Sequence, residues 1–199
     1  MSSRVSRTQA WDLLAEWVQS PSLRRHCLAV EAAMAAYARK LGEDEEAWAV
    51  AGLLHDADYE RHPDMDDTEN GHPRTILKHL RAIDAPPDII DAIAGHATFL
   101  DVPRETPMAR TLYAVDELSG FILACAAVRP EGIHGLTPKS VKKKLKQPSF
   151  AAAVNRDEVR HGADDLGVDF DEHVAFVIAA LEERADQLDL HGTSQPEPA

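Results

Sequence analysis

No stretch of this chain alternates apolar and polar residues at period two for long enough to make a strand; its apolar residues recur instead every three or four positions. That spacing gives helices with one buried stripe, and it restricts the chain to an all-α fold. No internal repeat is present, so a solenoid is excluded. At 199 residues, 44% of them hydrophobic, the chain is expected to form a single-domain helical bundle of about eight helices.

The segments follow in order. Thr8 is the expected N-cap of a first helix carrying Trp11, Leu14 and Val18, closed by Pro21. Ser20 or Ser22 starts a longer helix with the stripe Leu23, Cys27, Val30, Met34, Tyr37 and Leu41, ended by Gly42, and His26 sits on the edge of that stripe. The next helix spans Asp44 to Asp56, with acidic residues at its positive end and Trp48, Ala51, Gly52 and His55 facing inward. Asp58 to Gly71 is polar and turn-rich, and reads as a loop. His72-Pro73 opens a helix containing Ile76, Leu77, Leu80 and Ile83. Pro87 suits the first position of a helix reaching Phe99, which turns Ile89, Ile93 and His96 to one side.

Pro107 opens a long helix to Val128 with the stripe Leu112, Val115, Ser119, Ile122 and Ala126, and Asp116 lies in that stripe. A short basic helix, Lys139 to Lys146, and two last helices, Asn155 to Leu166 and Asp169 to Leu188, complete the set. The expected organisation is a packing helix in residues 1–21, a core in 22–128, helices completing the same domain in 129–189, and a disordered tail in 190–199.

Charge narrows the function classes. The net charge of −13 and pI near 5.1 repel nucleic acid and anionic lipid, so neither is an expected partner. Cys27 and Cys125 lack any C-x-x-C spacing and read as buried thiols in a reducing compartment. The N-terminus carries no apolar run after Arg4, and no segment approaches a membrane span, so the expected address is cytoplasmic.

The polar groups on apolar faces are the informative ones. A lone inward histidine is most often a core residue bonded to a carbonyl. A buried carboxylate such as Asp116 is harder to accommodate, because without a partner it costs several kcal/mol, roughly, or takes up a proton. Four helices each turn a titratable group inward: His26, the His55-Asp56 pair, His96 and Asp116, with His72 at a helix start. A divalent cation satisfies them together, since neutral imidazole and carboxylate are its natural ligands.

The order His26, adjacent His55-Asp56, then Asp116, on an all-helical chain, resembles the H…HD…D pattern of the HD-domain superfamily of metal-dependent phosphohydrolases. The resemblance covers roughly Ser22 to Val128 and implies a helical bundle of the HD-domain type, with one divalent metal on His26, His55, Asp56 and Asp116. His72-Pro73 and His96 also match the extended form of the family, whose extra histidines hold a second metal; Asp56 would then touch both ions. His62, also followed by proline, and His79 compete for that role and rank behind His72 and His96. The implied cofactor is one or two divalent ions, with Mn, Fe, Mg, Zn, Ni and Co not distinguished.

The chain departs from the family where many members carry Gly or a nearby Lys after the HD pair; here Ala57-Asp58-Tyr59 follows. Asp58 is suited to hydrogen-bond a water or to orient a ligand histidine, and an exposed helix-end carboxylate is its bland alternative. Asp58 and Glu117 are the candidate proton handlers for water activated by the metal. Arg61, Arg74 and the basic run with Lys139 and Lys143 are candidate contacts for a phosphate, although a solvated surface helix is the simpler account of the lysines. No G-x-S-x-G elbow, Gly-rich phosphate loop or H-E-x-x-H helix is present. The first expectation is a phosphohydrolase acting on a small phosphorylated metabolite or nucleotide. A mixed-valence di-iron oxygenase of the HD type, and a non-catalytic ligand-binding domain with a metal scaffold, are the competing readings.

Overall fold

The structure is a computed structural model and describes residues 5–193. Its regular elements are ten α-helices and one 3₁₀ turn, with no strand among the described residues, so the fold is all-α as the periodicity requires. Length and composition favour one domain. The described chain divides between Tyr113 and Ala114 into two compact units, and the division falls inside a helix.

The first unit begins with α1 (Arg7–Trp17). Its cap is Ser6 rather than Thr8, because Ser6 and Gln9 form a reciprocal capping box: the Gln9 N–H donates to the Ser6 hydroxyl, and the Ser6 N–H donates to the Gln9 side chain. Pro21 does not close α1. It occupies the first position of α2 (Pro21–Leu41) behind the N-cap Ser20, where its missing N–H costs nothing. Gly42, at φ +75°, ends α2 in the left-handed region.

Asp44 caps α3 (Glu45–Leu54) by accepting from the N–H groups of Glu46 and Ala47. The helix stops short of its expected end, so His55 is its C-cap and Asp56 lies in the run of turns that follows. α4 (Arg74–Ala82) and α5 (Pro87–His96) come next. α5 ends at His96, and Thr98–Leu100 forms the separate 3₁₀ turn.

Every α3 residue from Trp48 to Leu54 is buried, because α2, α1 and α5 all pack on this helix. The α2 approach is close at Gly52, where a Cβ would stand 2.9 Å from the Val30 carbonyl oxygen and 3.0 Å from the Glu31 Cα. Arg7 ties α1 to α2 through two bonds to the Glu31 carboxylate, at 2.7 and 3.0 Å, and that pairing raises the pKa of the guanidinium.

α6 (Pro107–Ala127) runs through the unit boundary. The second unit continues with α7 (Pro138–Leu145), α8 (Arg156–Leu166), α9 (Phe170–Glu182) and α10 (Ala185–Leu188). α7, α8 and α10 pack against α9, which buries Val174, Val177 and Leu181. The single last helix expected from the pattern is broken at Glu183–Arg184, where the Arg184 N–H reaches back only to the Leu181 carbonyl. The expected tail starts too early: Leu190 is buried and its carbonyl accepts from the Ile133 N–H at 2.8 Å. The rest of that tail, 194–199, lies outside the described residues.

Among the described residues no helix is long and apolar enough to cross a membrane. Cys27 and Cys125 are both buried and not joined in a disulfide, and burial pushes the Cys125 thiol up to about 11.

Candidate metal centre

Five polar side chains of the first unit converge where three chain segments end or begin. His26 comes from the second turn of α2, His55 from the C-cap of α3, Asp56 from the turn behind it, His72 from the residue pair preceding α4, and His96 from the last position of α5. His55, His72 and His96 are 0%, 3% and 6% exposed, while His26 and Asp56 are half-buried and open one side of the cluster.

Position at helix ends sets the orientation of two of these rings. The last carbonyls of a helix have no N–H partner of their own. At the end of α3 the Gly52 carbonyl accepts from His55 Nδ1 at 2.8 Å, and at the end of α5 the Ile93 carbonyl accepts from His96 Nδ1 at 2.5 Å. Asp58 supplies the third anchor. Its Oδ1 accepts from His72 Nδ1 at 2.8 Å and its Oδ2 from the Ile76 N–H at 2.9 Å, with the carboxylate fully buried. All three rings therefore carry their proton on Nδ1 and turn an Nε2 lone pair inward.

Those lone pairs face the Asp56 carboxylate and the His26 ring. His26 Nε2 and His55 Nε2 are 3.1 Å apart. Asp56 Oδ2 lies 3.6 Å from His26 Nε2 and 3.5 Å from His55 Nε2, while Asp56 Oδ1 lies 3.4 Å from His72 Nε2 and 3.7 Å from His96 Nε2. One carboxylate thus presents each of its oxygens to a different pair of imidazoles. Acceptors facing acceptors repel in a poorly solvated site, and a cation between them converts the repulsion to coordination. The ligand atoms fall into two groups that can each hold an ion, His26–His55–Asp56 and Asp56–His72–His96. The donor set, imidazole nitrogen with carboxylate oxygen, fits a divalent metal.

The other residues singled out in the sequence lie as follows. Asp116 is half-buried on α6, in the second unit. Glu117 accepts from the Asn155 N–H at 3.0 Å and so holds the residue that caps α8. Asp58 is not an exposed helix-end carboxylate: both its oxygens are used in fixing His72 and the start of α4. His62 donates no ring to the cluster and instead accepts the His72 N–H on its carbonyl, and His79 packs edge-on against Trp17.

Two of the four candidate phosphate contacts are engaged elsewhere. Arg61 bonds the Glu16 carbonyl at 2.6 Å and lies over the Trp17 ring; Arg74 bonds the Met65 carbonyl at 3.1 Å and lies over Phe99. Lys139 and Lys143 are exposed on α7 in the second unit, whose other lysines pair with Asp171 (Lys142) or stack on Phe150 (Lys144).

Two neighbours escaped the sequence reading. Tyr59, 38% exposed, sets its ring edge-on to His72 with centroids 5.2 Å apart, so it borders the centre. Arg104 bonds the Gly95 carbonyl beside His96 at 3.2 Å. Tyr59 stands only three residues beyond Asp56, which is the one signal that points to it.

Residues 23–120 match the family described as HD domain. The chain therefore carries an HD domain there and belongs to the HD-domain superfamily. No curated protein and no solved structure matches the chain.

Proposed function

We propose that this HD domain is a two-metal phosphohydrolase, cleaving a phosphoester of a small phosphorylated metabolite or nucleotide. The observation that carries the reading is the division of labour within Asp56, whose two oxygens face two separate imidazole pairs. His26, His55 and Asp56 would hold one divalent ion, and Asp56, His72 and His96 a second. Asp116 is proposed as a further ligand of the first ion from the H…HD…D sequence pattern alone. When bound, such ions lower the pKa of water to roughly 7 and polarise a phosphoryl oxygen.

The chain's own part is positioning. Gly52 and Ile93 carbonyls and the Asp58 carboxylate fix three imidazoles in the tautomer that leaves Nε2 bare, so no reorganisation is needed when the ions and substrate arrive. Half-burial of His26 and Asp56 leaves the centre open to solvent at these two residues. Asp58, which the sequence offered as a proton handler, is better used as the residue that positions His72, since it is sealed from solvent. Glu117 remains a proposed proton handler, and Arg61, Arg74, Lys139 and Lys143 remain proposed phosphate contacts. Each of the two arginines would have to leave a carbonyl acceptor to serve.

The same ligand set suits a di-iron oxygenase, so the test separates the two. Metal-loaded protein is incubated without oxygen against nucleotides and sugar phosphates. Release of inorganic phosphate, abolished by His55→Ala, supports hydrolysis. In a parallel aerobic incubation of iron-loaded protein, oxygen consumption with an iron EPR signal, and no phosphate release in either arm, overturns it.

A further inference from the structure

A second pair of histidines shows the same electrostatic signature on a different part of the chain. In the second unit, His134 lies in the loop before α7 and His191 follows α10. Gly132 and Gly192, both at positive φ, bring the two segments into backbone contact: a Cβ on Gly132 would fall on the Leu190 carbonyl, and the Ile133 N–H bonds that carbonyl at 2.8 Å. The two imidazoles are therefore held side by side by the backbone, not by chance rotamers.

Each ring then has one nitrogen on a carboxylate and one on the other ring. His134 Nδ1 donates to Glu182 Oε1 at 2.8 Å, and His191 Nε2 donates to Asp186 Oδ1 at 2.5 Å. With those protons assigned, the remaining nitrogens, His134 Nε2 and His191 Nδ1, both present lone pairs, and they face each other at 3.1 Å. Turning either tautomer round repairs that contact only by placing a bare nitrogen against a carboxylate oxygen. A neutral pair has no arrangement free of conflict, and either one shared proton or a metal cation between the rings removes it.

The ring separation matches that of the HD centre, while the ring planes lie at 34° to one another against 64° and 67° there. The ring centroids of His134 and His191 are 5.3 Å apart, against 5.1 Å for His26 and His55 and 5.3 Å for His72 and His96. Each ring also has a carboxylate on its outer nitrogen, the arrangement that orients and strengthens metal-bound histidines. His134 and His191 are 51% and 27% exposed, which leaves room for water to complete a coordination shell.

We propose that His134 and His191 form a separate surface site for a first-row transition dication of the zinc type, oriented by Glu182 and Asp186. Two imidazole nitrogens and water favour such an ion over Mg or Ca, which select oxygen. The site joins the segment after α10 to the loop preceding α7. It uses none of the residues of the HD centre, so it stands whether or not that centre hydrolyses phosphoesters.

Zinc is titrated into the full chain and into the double variant H134Q/H191Q, with stoichiometry read by calorimetry and the fold checked by circular dichroism. The wild type is expected to take up one more equivalent than the variant, and E182Q to bind that equivalent about tenfold more weakly. Zinc-edge anomalous scattering from wild-type crystals gives an independent reading, with a peak between His134 Nε2 and His191 Nδ1. Equal stoichiometry, or zinc-soaked crystals with no peak there, overturns the proposal and leaves an imidazole–imidazolium pair that shares only a proton.

Discussion

Asp58→Asn tests how far the centre depends on one buried carboxylate. The wild-type group accepts two hydrogen bonds, from His72 Nδ1 at 2.8 Å and from the Ile76 N–H at 2.9 Å. An asparagine has one oxygen for these two donors. If its oxygen stays on Ile76, its NH₂ faces His72 Nδ1, and the ring must move its proton to Nε2, where the lone pair for the ion was. If the oxygen turns to His72, the Ile76 N–H is left buried without an acceptor, at a cost of about 1–3 kcal/mol. The first outcome removes a ligand; the second loosens the start of α4 that carries it. Loss of a carboxylate behind a ligating histidine typically lowers metal affinity 10–100-fold, about 1.4–2.7 kcal/mol. Calorimetric titration with manganese or zinc should therefore show the Asp56–His72–His96 ion weakened by that factor and the His26–His55–Asp56 ion nearly unchanged. Two ions bound with wild-type affinities would refute the reasoning, because the His72 tautomer would then not matter.

Gly52→Ala should lower stability by about 2–4 kcal/mol, since the new methyl meets α2 backbone at 2.9–3.0 Å and backbone cannot move aside cheaply; thermal or urea unfolding measures it. Burial holds the Tyr37 phenol at about 12, above its ordinary 10.0. The unfolded chain loses that proton first, so the stability is fully present below pH 10 and falls as pH rises toward 12. The loss reaches about 2–3 kcal/mol. Urea midpoints should fall through that window in the wild type and much less in Tyr37→Phe; parallel curves would count against the assignment. Cys125, held protonated by burial up to about 11, should resist alkylation at pH 8 in the folded chain and react on unfolding.

Most of the architecture was legible because helical periodicity and caps are local. Asp44, Asn155 and Asp169, read as the first residues of their helices, stand directly before them as N-caps. The misread boundaries had local competitors: Ser6 with Gln9 outweighs Thr8, and Pro21 starts a helix as readily as it ends one. The division between Tyr113 and Ala114 left no mark in the sequence, since α6 continues through it. At the centre, residue chemistry and order were enough to place His26, His55, Asp56, His72 and His96 in one candidate set. The Asp58–His72 bond was foreseeable only as one option, because it depends on how the turns between α3 and α4 fold back. The engagement of Arg61 and Arg74 by carbonyls was invisible, because a backbone acceptor leaves no trace in sequence.

The central claim is that Asp56 stands between two ions. Anomalous diffraction at the metal's absorption edge, from crystals of protein purified without chelator and loaded with manganese or zinc, tests it most directly. Two peaks are expected at this centre, one among His26, His55 and Asp56 and one among Asp56, His72 and His96, each beside a different oxygen of Asp56. A single peak at this centre, or none, would contradict it.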